Sequence, residues 1–226
     1  MEKGIPFELI TEVPWDSNTQ TPQYNPLEKL PVLILDNGKS VYESRFILEY
    51  IEAKFHDRPP LLPRGHKQVD ARLFARQVEV VADGICDALV LLFFEKQRDE
   101  AKRSEESMAR QRSKVDGGLK ALANWISEER EYFVENSFGL ADLAAGSLLG
   151  YMNVRFPEHP WKIHTRIWRG IARDWRRGRV SKTLYLPPKR SVTRSCEEGK
   201  GEFGTHSAAG FLEAGVNFAR IGGLLP

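Results

Sequence analysis

The sequence predicts an α+β protein, a small unit of strands and one helix over residues 1–60 followed by an all-helical bundle over residues 66–186. Three observations carry that prediction. A continuous apolar run, Pro31 to Leu35, is joined across Asp36-Asn37-Gly38 to a second strand-like segment. A Pro-rich stretch with Pro59, Pro60 and Pro63 then interrupts the chain, and beyond it apolar residues recur at helical spacing alone.

Taken in order, Ile5 to Thr11 reads as a short strand. Pro31 to Leu35 has the unbroken apolar character of a strand buried on both faces, and Lys39 to Tyr42 follows it. Asn37-Gly38 between them predicts a tight hairpin of type I′, because both central residues of that turn need positive φ. From Ser44 the period becomes helical, with Phe46, Ile47, Tyr50, Ile51, Lys54 and Phe55 on one side and Arg45, Glu49 and Glu52 on the other.

After the prolines, Val69 to about Gln97 forms a long helix. Its inward stripe is Leu73, Phe74, Val78, Val81, Ile85, Leu89, Leu92 and Phe93, with Arg72, Arg76 and Glu79 outside. Ser104 to Glu129 forms a second, carrying Met108, Val115, Leu119, Leu122 and Ile126 inward and weakened at Gly117-Gly118. Leu140 to about Tyr151 and Ile163 to Arg177 complete the helices. Residues 187–226, rich in Gly and thin in apolar pattern, predict a poorly ordered tail.

Composition narrows the functional classes. There is no uninterrupted apolar run of membrane-spanning length, and Met1 is followed at once by Glu2 and Lys3, so neither a membrane span nor a secretory signal is predicted. Cys86 and Cys196 are far apart and lack His partners at ligand spacing, which argues against a disulfide framework or a metal site and for a reducing, cytoplasmic home. Residues 1–154 carry a net charge of −6 and residues 155–226 a net of +8, a modest basic excess for nucleic-acid binding. Trp161, Trp168 and Trp175, interleaved with Arg166, Arg169, Arg173, Arg176 and Arg177, read either as a stripe packing a terminal helix or as a base-stacking surface.

Two local arrangements suggest chemistry. Pro31 opens a strand, either as an ordinary trans proline or in a cis bond that would turn the Leu30 backbone outward to pair with an extended peptide. Glu43-Ser44 lies where the last strand meets the first helix. Ser44 reads as the N-cap, either plain or as part of an anion site made by the free N–H groups of the first turn, with Glu43 beside it for an ammonium group. A carboxylate site and an ammonium site one residue apart match an α-amino acid headgroup.

The run Asn25-Pro26-Leu27-Glu28-Lys29-Leu30-Pro31-Val32-Leu33, the Asn-Gly hairpin, Glu43-Ser44 and then Gly139-Leu140-Ala141-Asp142 in a helical domain together resemble the soluble glutathione transferases over residues 1 to about 185. The resemblance implies a thioredoxin-like first domain that binds glutathione as co-substrate and an all-α second domain. It implies that Leu30, before a cis Pro31, pairs with the cysteinyl backbone of glutathione, that Glu43 and Ser44 hold its γ-glutamyl end, and that Lys29 assists. Asp142 matches the family's helix-capping aspartate, with Gly139 where the family usually has Ser or Thr. The implied activity is conjugation of the glutathione thiolate to small electrophiles, a detoxification, in a homodimer without a metal.

The same resemblance places the thiol-activating Tyr, Ser or Cys ahead of the Glu2-Lys3-Gly4-Ile5-Pro6 segment, so the chain reads as an N-terminally truncated member and no catalytic residue is assigned in it. The absent strand would be central, leaving the Ile5 to Thr11 and Pro31 to Leu35 strands with unpaired edges, unless the pairing rearranges. A non-catalytic glutathione-binding or dimeric interaction module is therefore the alternative function, and nucleic-acid binding through the basic C-terminal region the lesser one.

Overall fold

The computed structural model describes residues 3–126, 130–134, 137–160 and 216–220. The chain divides into two compact units, residues 6–51 with 186–226, and residues 1–5 with 52–185. The first holds the sheet and the second the helical bundle. The helix expected at 163–177, the Trp and Arg residues between 161 and 177, and most of the expected tail lie outside the described residues.

In the sheet unit β1 is Glu8–Glu12, α1 is Thr21–Tyr24, β2 is Val32–Ile34, β3 is Ser40–Tyr42 and β4 is Val216–Arg220. α2, Ser44–Lys54, begins in this unit. The strand order is β1-β4-β2-β3, with β4 antiparallel to β1 and parallel to β2, and β2 antiparallel to β3. This corrects the expectation that no strand follows the prolines. The strand lies between β1 and β2, so the pairing is rearranged, the alternative left open by the sequence, and the facing edges of both are paired. Each residue of β2 is buried, as its unbroken apolar run requires, and Val32 and Ile34 pack with Tyr24, Leu30 and Tyr42.

The hairpin forms where expected but with a different turn. Leu35 O accepts from Gly38 N at 2.9 Å, Leu35 N donates to Lys39 O at 2.9 Å, and Gly38 has φ +78° while Asn37 keeps a negative φ. This is a three-residue loop built on a type I turn, with Gly38 supplying the left-handed residue. Asn37 contributes through its side chain instead, its Oδ1 accepting from Lys39 N at 3.0 Å.

The helical unit packs α3 (Val69–Gln97), α4 (Glu105–Trp125) and α5 (Leu140–Arg155) around one core. Val78, Ala82, Ile85 and Leu89 of α3 meet Val115, Leu119 and Leu122 of α4 and Ala145, Leu148 and Met152 of α5. Gly118 permits the close approach of α3 and α4, since a Cβ there would lie 2.5 Å from Ile85 Cγ1. The face assignments needed correction at three residues. Leu73 is exposed, so the inward stripe of α3 is narrower than the sequence suggests, and Phe46 of α2 is exposed too. Glu79 is buried, its Oε2 accepting from Arg76 at 2.9 Å across one turn. Lys3 is buried as well, its Nζ 2.7 Å from Glu52 and donating to Phe55 O and Pro59 O, one partner for each proton.

Candidate functional site

The β2–β3 register decides which predicted residues meet. Val32 is opposite Tyr42 and Ile34 opposite Ser40, so Leu30 and Pro31, which precede β2, and Glu43 and Ser44, which follow β3, flank the same end of the hairpin. The Leu30–Pro31 peptide bond is cis. Four of the five residues expected to bind glutathione thus adjoin the last pair of one antiparallel hairpin, and Lys29 precedes them as an exposed residue.

The loop before Pro31 is fixed by a residue to which the sequence reading gave no role. Asn25 is buried; its Nδ2 donates to Lys29 O at 2.7 Å and its Oδ1 accepts from Leu27 N at 2.9 Å. Its own carbonyl accepts from Glu28 N at 2.9 Å, and Glu28 takes φ +53°. Asn25 thus ties both ends of the Leu27–Lys29 loop, the local bonding that favours Asn at turns. Asn-Pro ahead of a strand was the available signal. Ser40 Oγ adds a tether by donating to Tyr24 O at 2.6 Å.

At the start of α2 the cap differs by one residue from the sequence reading. Glu43 O accepts from Ile47 N at 2.9 Å, which makes Glu43 the N-cap and Ser44 the first helical residue. Glu43 has φ +75°, outside the helical region, and its Oε2 accepts from Arg45 N at 3.2 Å. Ser44 Oγ donates to Glu43 Oε1 at 3.3 Å. The carboxylate therefore sits over the positive end of α2, satisfying one free donor of the first turn and keeping lone pairs open to solvent. Such an end offers its remaining first-turn N–H donors to an anion and the Glu43 carboxylate to a cation, while the Ser44 hydroxyl is engaged by Glu43.

The second predicted cap lies in the helical unit. Asp142 is buried; its Oδ2 accepts from Gly139 N and its Oδ1 from Phe133 N, each at 3.0 Å. Gly139 provides no side-chain cap. Its backbone instead runs against Leu61, with Leu140 N donating to Leu61 O at 2.7 Å, and a Cβ on Gly139 would come within 2.9 Å of that oxygen. Nearby, a cavity of about 250 Å³ is bounded by Pro60, Leu61, Phe138 and Asp142, and none of the five predicted binding residues lines it. Burial, with Asp83 and Asp87 adding to it, pushes the Cys86 thiol up to about 12, which keeps it protonated at neutral pH. Among the described residues no group of three His, Cys, Asp or Glu side chains is placed to hold a metal, and no described helix is long and apolar enough to cross a membrane.

Residues 1–54 match the model for the glutathione S-transferase N-terminal domain and residues 105–178 the model for its C-terminal domain. A curated relative, the uncharacterized GST-like protein YibF of Escherichia coli, is 35% identical over 72% of this chain and 78% of its own length. The chain belongs to the glutathione S-transferase family. A probable glutathione S-transferase of Nicotiana tabacum is 33% identical over 69% of this chain, which spans 64% of the tobacco protein.

Among solved structures, a glutathione S-transferase of Methylobacterium radiotolerans in complex with glutathione sulfonate is 52% identical, with a TM-score of 0.75, over 81% of this chain and 84% of the other. One from Methylobacillus flagellatus with glutathione bound is 35% identical, with a TM-score of 0.69, over 79% and 86%. The glutathione S-transferase fold, a thioredoxin-like N-terminal domain and a helical C-terminal domain, is therefore established for this chain. The Methylobacterium radiotolerans structure holds glutathione sulfonate and the Methylobacillus flagellatus structure glutathione.

Proposed function

We propose that this chain binds glutathione at the open end of the β2–β3 hairpin and acts as a glutathione transferase, joining the glutathione sulfur to a small electrophile. The observation that supports the reading is that Leu30-cis-Pro31 and Glu43-Ser44 flank the Val32–Tyr42 end of the hairpin. The extended backbone at Leu30 suits the cysteinyl segment, with Lys29 beside it for a terminal carboxylate. The Ser44 hydroxyl and the N–H groups of the first turn of α2 suit the γ-glutamyl carboxylate, and Glu43 its ammonium. In conjugation to an aryl halide, the thiolate forms the new S–C bond and halide departs with the bonding electron pair. The reaction depends on the thiolate fraction of a thiol whose free pKa is ~8.5.

A thermal unfolding scan with and without millimolar glutathione tests binding, and turnover of a generic aryl halide tests transfer. Glutathione at about a hundred times its Kd stabilises by ~2.7 kcal/mol. Ser44→Ala should shrink that rise while leaving the ligand-free transition within ~0.5 kcal/mol, because Ser44 is a surface residue whose hydroxyl bonds only Glu43 among the described residues. A wild-type transition indifferent to glutathione contradicts the reading.

A second reading is glutathione binding without turnover, because the resemblance assigns Glu43 and Ser44 to the γ-glutamyl end and assigns no residue of this chain to activating the thiol. It predicts the thermal shift with no conjugate formed. Either function suits a cytoplasmic homodimer, for which α3 offers exposed Leu73, Val80, Leu91 and Phe94. Sedimentation at monomer mass across micromolar concentrations would rule out the dimer.

A further inference from the structure

The sheet unit depends on a strand from the far end of the chain. β4 has five partners on β1, from Glu8 opposite Arg220 to Glu12 opposite Val216, and three on β2, from Val32 opposite Phe218 to Ile34 opposite Arg220. Residues 43–215 lie between β3 and β4 in sequence. Removing β4 from the pairing leaves β1 without a strand neighbour and reduces the rest to a single hairpin, which is marginal in water. β2 would also lose its partners on one edge, although all three of its residues are buried. The entropic cost of closing so long a loop rises only with the logarithm of its length, so a distant strand can fill the place.

We propose that the groove between β1 and β2 is a strand-binding site recognised through backbone pairing, that its occupant is the chain's own segment 216–220, and that this pairing along β2 holds the neighbouring Leu30-Pro31 in place for a ligand. The pairing is antiparallel on one side and parallel on the other, so both edges read the backbone direction of the occupant. The link to ligand binding rests on the glutathione reading given above; the strand assignment does not.

Two measurements on the full-length chain test both halves. Leu9→Cys with Ala219→Cys joins direct partners, whose Cα separation of ~4.5–5.5 Å suits a disulfide, whereas Leu9→Cys with Asn217→Cys is two residues out of register. Peptide mapping after mild oxidation is expected to find the 9–219 bridge within single chains, in yield about tenfold above the 9–217 bridge. Equal yields, or a bridge between copies, overturn the assignment. Phe218→Pro removes a backbone donor from an interior strand and should weaken binding of S-methylglutathione about tenfold or more, with the helical signal of the other unit retained. Unchanged affinity overturns the coupling. If wild type does not bind S-methylglutathione while the 9–219 bridge forms, the glutathione reading falls and the groove assignment stands.

Discussion

Glu43 and Gly139 both occupy helix starts, and they solve that position in opposite ways. Glu43 caps α2 with its own carbonyl and carboxylate at φ +75°, and its carboxylate also accepts from the Ser44 hydroxyl at the first helical position. Gly139 caps α5 with no side chain, because Leu61 O occupies the place where a Cβ would go. Restoring a capping hydroxyl by Gly139→Ser should therefore destabilise the chain, by ~1–3 kcal/mol in chemical denaturation, although Ser is the better N-cap in an open site. A gain in stability would show that Leu61 yields. Cys86 makes a pH prediction. The folded chain holds its thiol proton to about 12 against an ordinary value of 9.0, so the unfolded chain binds fewer protons in that window. Its contribution is complete below pH 9 and is lost as pH rises toward 12. Peptide mapping after alkylation at pH 8 should find Cys86 unmodified in the folded chain and modified in denaturant; rapid labelling of the folded chain would contradict this.

At the scale of the element, the glycine pair of α4 separates propensity from packing. Gly117 faces open space, so Gly117→Ala should stabilise by about 0.5–1 kcal/mol, whereas Gly118→Ala drives a methyl into Ile85 and should cost ~1–3 kcal/mol. Thermal or denaturant midpoints for the two variants give the signs directly, and the same sign for both would refute the close α3–α4 contact. The helices and the hairpin were legible because their signals are local: spacing for α3, an unbroken apolar run for β2, Asn-Gly for the turn. The sequence left the turn type open to error, since Asn is at home in both a type I′ and a type I turn, and it misplaced the α2 cap by one residue, where Glu43 resembles ordinary strand end. Glu79 escaped because periodicity assigns a carboxylate outward, whereas here Arg76 pairs it inward. β4 was not legible at all, because its place depends on partners at the other end of the chain.

For the whole molecule, the candidate site is a product of topology more than of any single residue. β2 is fixed on one edge by β3, so that Leu30-Pro31 and Glu43-Ser44 flank one end of the hairpin, and on the other by β4, while Asn25 locks the loop between α1 and Pro31. The family motif was readable because those contacts follow from residues close in sequence; the completed sheet was not. The helical unit has its own core of α3, α4 and α5. Binding of glutathione at the hairpin end can be followed residue by residue in a titration of the isotope-labelled chain with S-methylglutathione, read by amide NMR. Saturable shifts concentrated at Lys29, Leu30, Glu43, Ser44 and Arg45 are the predicted result. Saturable shifts confined to α3–α5, or no saturable shift at millimolar ligand, would contradict it.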